Sequence, residues 1–280
     1  MKTTKIWLGV GVAIVAGASS AAQAENLDPL NSTSINAPAA HSFVLAQLIR
    51  GEGGENESGE SGEGGIDAAA ADKDPVKYGI ALQVIAAHYY AGLAAYEAGE
   101  KTAGTQMFAH GFSEVYAEME EVFKKRGVKD LGAKIEAAIA AANKNAPAPE
   151  VRKAVEAVQT ALAGAEKAGP KSALSALAVK AQVIADMLDR AAAQYVLTLK
   201  KDSTLETYLD GLGFALAART EAEKILSELE KSSAAAAKAI RAALDLASNA
   251  YPGLKRGAPA DTAKFLAAAS TARIAATNLR

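Results

Sequence analysis

The sequence predicts an all-α protein, an antiparallel bundle built from two duplicated helical hairpins plus extra helices. Three observations carry this. Alanine is abundant and runs of β-branched residues are scarce, which favours helices packed closely on small side chains. From Asp74 onward the apolar residues recur with helical period. Helix start and stop signals divide that stretch into segments of helical length.

The first helix starts at Asp74-Pro75, with proline in the first turn, and runs to about Ala98, where Gly99 stops it. The second spans roughly Ala103 to Arg126, before Gly127. A third covers about Lys129 to Lys144, ahead of Ala146-Pro147-Ala148-Pro149. The fourth runs from Glu150 to Lys167, and Gly169-Pro170 follows. A long fifth is expected from Lys171 to about Lys200. Asp202 or Ser203 can cap the sixth, with Glu206 at the capping-box position relative to Ser203, and it continues to about Ser232. The seventh ends near Tyr251, before Pro252-Gly253, and Asp261 opens the last.

The N-terminal region reads differently. Lys2 and Lys5 precede a short apolar run, Ile6 to Ala16, and Ala22-Gln23-Ala24 forms a small-x-small cleavage site. This is the pattern of a signal peptide over 1–24, so the expectation is an exported, periplasmic protein. Residues 25–74 form a separate N-terminal segment. Within it, His41 to Arg50 can make a short amphipathic helix. Gly51 to Gly65 holds seven glycines and five glutamates and no basic residue, the composition of a flexible acidic linker. The bundle domain is placed at 75–280.

Composition excludes several function classes. There is no cysteine, so thiol catalysis, thiolate zinc sites and disulfides are ruled out. The net charge is -2 with no basic stripe, which argues against nucleic acid as a partner. No nucleophile elbow, phosphate-binding glycine loop or His-Glu-x-x-His motif occurs, so the chain is not expected to be an enzyme.

A repeat runs through the helical part. Gln83-Val84-Ile85-Ala86 and Tyr96 recur 99 residues later as Gln182-Val183-Ile184-Ala185 and Tyr195 (182 − 83 = 195 − 96 = 99). Phe108-Ala109-His110-Gly111 aligns with Tyr208-Leu209-Asp210-Gly211 at an offset of 100 (208 − 108), one residue being inserted in the turn. His88 then corresponds to Met187 and His110 to Asp210. The second copy offers acids, Asp186, Asp189 and Asp210, where the first has histidines. Gly211 and Gly213 interrupt a helix, which points to close backbone contacts around the same pocket.

Only three histidines occur. His88 lies eleven residues before Gly99 and His110 eleven after it (99 − 88 = 110 − 99 = 11). In an antiparallel hairpin both imidazoles reach the same height, because an α-helix rises a constant ~1.5 Å per residue. His110 and Glu114, four apart, share a helix face. The candidate metal ligands are His88, His110 and Glu114, with Met107 and Asp210 as further candidates. Histidine with carboxylate suits iron or zinc, and histidine with methionine suits copper. A haem held between the two histidines is a further option, with Ala87, Ala91, Gly92, Ala109 and Gly111 leaving room for a cofactor or for close helix packing. Tyr89, Tyr90, Tyr96 and Tyr116 surround the hairpin as core residues or supporting hydroxyls.

The stretch His110-Gly111-Phe112-Ser113-Glu114, in an exported, cysteine-free helical chain with a repeated hairpin, resembles the imelysin-like periplasmic proteins associated with iron uptake. The resemblance covers roughly residues 75–280. That family carries His-x-x-Glu, often preceded by glycine. Here the spacing is one residue longer and Ala109 precedes the histidine. The resemblance implies iron, with His110 and Glu114 as ligands.

The function expected is therefore exported metal binding in uptake or handling, with an inner-membrane or envelope transport component as partner and a homodimer as an open option. The alternatives are a ligand-free envelope scaffold and a haem carrier.

Overall fold

The computed structural model describes residues 65–280. The signal peptide, the His41 to Arg50 segment and nearly all of the acidic linker lie outside the described residues. Every regular element among the described residues is a helix. A single short turn, α1 (Ala68–Ala71), precedes α2 (Pro75–Glu97). The second long helix is α3 (Lys101–His110), a π-helical segment (Gly111–Tyr116) and α4 (Ala117–Lys125) in unbroken succession. Then come α5 (Leu131–Asn143), α6 (Ala148–Glu166), α7 (Ala176–Thr198), α8 (Leu205–Ser232), α9 (Ala234–Ala250) and α10 (Thr262–Thr277). No helix among the described residues is long and apolar enough to cross a membrane.

The caps explain where helices begin. The Asp74 carboxylate accepts from the Val76 and Lys77 amides, and Asp261 does the same for Lys264. Such a cap stabilises a helix by about 1 kcal/mol. Gly99 takes φ +97°, the left-handed turn that ends α2. Two expected boundaries move. Residues 171–175 are not helical, because Ser175 caps α7 by accepting from the Ala178 amide. The cap of α8 is Thr204, which accepts from the Thr207 amide, and not Asp202 or Ser203. Ser203 instead donates to the Thr198 carbonyl.

Residues 68–74 belong to the packed unit. Ala71 is buried, and Asp72 pairs with Lys125 and Arg126. Arg126 also donates to the Ala168 carbonyl and lies over the Tyr78 ring, joining the entrance of the bundle to the α6–α7 connection.

The helices form two rings of four. In the first, α2 packs on α3, α3 on α5, α5 on α6 and α6 on α2. In the second, α7 packs on α8, α8 on α9, α9 on α10 and α10 on α7. The rings meet where α2 packs on α7 and α8 and where α3 touches α8. The sequence of α2 fits this position, since its apolar residues surround the helix and buried residues occur all round it. Backbones come close on both of its sides. A Cβ on Gly104 would lie 2.5 Å from the Gly92 carbonyl oxygen, and one on Gly213 would lie 2.5 Å from that of Ala87. Tyr96 and Tyr195 play matching parts. The Tyr96 hydroxyl donates to the Ala146 carbonyl, between α5 and α6, and the Tyr195 hydroxyl accepts from the Ala260 amide, between α9 and α10.

Candidate metal centre

His88 sits in the middle of α2 and is 5 % exposed, the only buried histidine among the described residues. Its Nδ1 lies 2.8 Å from the Val84 carbonyl one turn earlier. A carbonyl oxygen can only accept, so Nδ1 carries the proton. Burial, and secondarily the charge of His110, holds the pKa down to about 4 against the pull of Val84. The ring is therefore neutral at pH 7, with the Nε2 lone pair available. That lone pair faces Glu114, with Nε2 and Oε2 3.8 Å apart.

The π-helical segment brings Glu114 to this place. Two carbonyls at its start are engaged by side chains. The Tyr89 hydroxyl donates to Phe108, and the Ser113 hydroxyl donates to Ala109. Donors inserted into the hydrogen-bond ladder are a known cause of local unwinding, and π-turns recur at functional sites. Gly111, the first residue of the segment, lies directly on α2. A Cβ there would sit 3.1 Å from His88 Cβ and 3.2 Å from the Tyr89 ring. The two helices are thus in direct contact at His88, where a haem would need an open slot.

Glu114 stands between the two histidines. One carboxylate oxygen faces His88, and the other lies 3.9 Å from His110 Nδ1. A fourth group comes from the other ring. Glu206 Oε1, in the first turn of α8, lies 3.2 Å from His110 Nδ1. Exposure rises along the series, from buried His88 through Glu114 (24 %) and His110 (27 %) to Glu206 (48 %). The set thus leads from the bundle interior to solvent.

No family model, curated protein or solved structure matches the chain.

Two donors bound to one tetrahedral ion at 2.0–2.2 Å would stand about 3.4 Å apart. The separations here, 3.2, 3.8 and 3.9 Å, straddle that value. As they stand, no three His, Asp or Glu groups among the described residues enclose an ion position. The donor types nevertheless fit a borderline divalent ion, and the Nδ1–carbonyl bond on His88 is the usual support behind a ligating imidazole.

The other expected residues are placed as follows. Asp210 lies one turn beyond Glu206 on α8, and its Oδ2 is 3.4 Å from Gln194 Nε2. Met107 is buried and shares the wall of a depression with Glu206 and Leu209. Gly213 meets α2 beside His88, whereas Gly211 faces Tyr251 on the far side, so the two glycines do not shape one pocket. Asp186 pairs with Arg190 at 2.7 Å and Asp189 with Arg273 at 3.3 Å. The tyrosine hydroxyls of Tyr89 and Tyr96 bond to backbone carbonyls, and Tyr116 stacks on Phe112 and Phe123.

Glu206 was the residue hidden from sequence reasoning, which assigned it to a capping box. The available signal was its spacing. It lies four residues before Asp210, on the same helix face.

Proposed function

We propose that this protein binds a transition-metal ion through His88 Nε2, Glu114 and His110 Nδ1, with Glu206 completing the set. The carrying observation is that a neutral, buried imidazole directs its Nε2 lone pair at a carboxylate. A cation between the two relieves that opposition. Side-chain rotation of Glu114 and Glu206, both partly exposed, closes the donors around it. The histidine and carboxylate donors suit iron or zinc, and without the buried Met107 thioether the set lacks the soft donor that selects Cu(I).

The signal-peptide pattern supports a periplasmic setting. The reading is an exported metal-handling protein that works with an envelope transport component. The resemblance to imelysin-like proteins rests on His110 and Glu114, at a spacing one residue longer than that family's His-x-x-Glu. The matched rings and the matched Tyr96 and Tyr195 support an origin by duplication.

The test is elemental analysis of untagged protein purified from periplasm without chelator, followed by calorimetric titration with Zn²⁺ and Fe²⁺. Near-stoichiometric metal, lost in a His88→Ala, His110→Ala double variant, is the expected result. Binding unchanged in the double variant overturns the site. A metal-free protein that takes up nothing favours the scaffold reading, and a Soret band favours haem.

A further inference from the structure

A second site of different chemistry lies where the rings meet. A cavity of about 410 Å³ opens between α2, α6, α7 and α8, with the α6–α7 connection along one edge. This volume is within the range of small-molecule sites. Leu82, Leu162, Val179 and Val183 supply apolar lining.

The polar lining is not neutral in character. Glu221, at 8 % exposure, is the least exposed acidic residue among the described residues, and it lines this cavity. Its Oε1 receives the Lys224 ammonium from the next turn, and the Lys224 side chain is 52 % exposed. Tyr90 lies close by. Burial raises its pKa against the opposing hydrogen bond with Thr220, and the Glu221 charge adds to the rise, so the hydroxyl stays protonated. Gln159 spends its Nε2 on the Ala86 carbonyl, which leaves its amide oxygen as an acceptor. The cavity therefore combines an apolar lining with a carboxylate and an amide oxygen, groups that accept hydrogen bonds from a donor ligand.

We propose that this cavity binds an organic ammonium ion with an apolar body. The ammonium pairs with Glu221 and the body covers the leucines and valines. The Lys224 ammonium stands where the ligand's would stand, and its half-exposed stem can release it to water. Burial decides between the charges present. Lys171 is exposed, and the Lys180–Glu166 pair has side chains 31 % and 44 % exposed against 11 % for Glu221, so those charges are more strongly screened. The carboxylate at depth is the charge that discriminates.

The experiment is calorimetric titration of the full chain, with chelator present so that metal binding plays no part. The probes are n-octylammonium and n-octanoate below their micelle concentrations. Octylammonium should bind saturably and at least about tenfold more tightly than octanoate, the scale of one charge-assisted hydrogen bond. Glu221→Gln should lower octylammonium affinity by about tenfold, and Lys224→Met should raise it. Loss of fold would lower both, so the opposite signs are diagnostic. Octanoate binding as tightly as octylammonium, no saturable binding of either, or the two variants shifting affinity in the same direction would each overturn the proposal.

Discussion

Glu206 Oε1 lies 3.2 Å from His110 Nδ1, and this contact joins the second ring to the first. The residues are far apart in sequence and on helices that touch over a small area. If both hold one ion, the affinity depends on each ring. Glu206→Gln is expected to weaken Zn²⁺ binding about tenfold, because Glu206 is the most exposed of the donors, and His110→Ala about a hundredfold. Competition titration against a chromogenic chelator reads both.

His88 makes stability depend on pH in the metal-free protein. Its folded pKa is lowered to about 4 from 6.5, chiefly by burial. The unfolded chain therefore takes up a proton first as pH falls. The stabilisation is fully present above pH 6.5 and is lost between 6.5 and about 4, to a total of about 3 kcal/mol. Urea unfolding at pH 7 and pH 5 should show the decline, and His88→Gln should flatten it.

Asp189 acts in the opposite sense. Burial raises its pKa from 3.8 to about 6 despite the Arg273 ion pair. Burial prevails because the Arg273 side chain is 61 % exposed and its charge is screened. The native state holds the proton more tightly, so this contribution grows as pH falls from about 6 to 3.8 and is absent above. Asp189→Asn is expected to raise stability at pH 8 by up to about 3 kcal/mol, measured as a shift in the urea midpoint.

Two glycines separate site effects from packing effects. A Cβ at Gly213 would press 2.5 Å from the Ala87 carbonyl oxygen, which is backbone and has nowhere to move. Gly213→Ala should cost about 1–3 kcal/mol, the range for overpacking. A Cβ at Gly111 would meet His88 Cβ at 3.1 Å, a contact that small shifts absorb. Gly111→Ala should leave thermal stability nearly unchanged, because the added helix propensity offsets the crowding, while lowering metal affinity by displacing His88. Thermal melts paired with metal titrations distinguish the two.

The helices were legible because their signals are local. Asp74, Gly99 and Asp261 act within a turn or two of themselves, and each does what its sequence position implies. The histidine pair was legible too, because helical rise fixes the level of residues equidistant from a turn. The π-helical segment was not. Gly111–Tyr116 continues the helical pattern on both sides, and one of the hydroxyls that enter its ladder comes from Tyr89 on another helix. Glu206 escaped for a related reason. Ser203 and Glu206 have capping-box spacing, yet Thr204 does the capping, and the glutamate reaches a residue almost a hundred positions away.

The helix α2, a member of the first ring, also packs on the second, with α3 and α6 on one side and α7 and α8 on the other. Neither half can therefore leave the other without exposing a buried face of its central member. A protease cut in the α6–α7 connection, at 170–174, would sever the covalent chain but not the assembly. The two fragments should stay together in size-exclusion chromatography, because their cohesion resides in a shared rod and not in the peptide that links them.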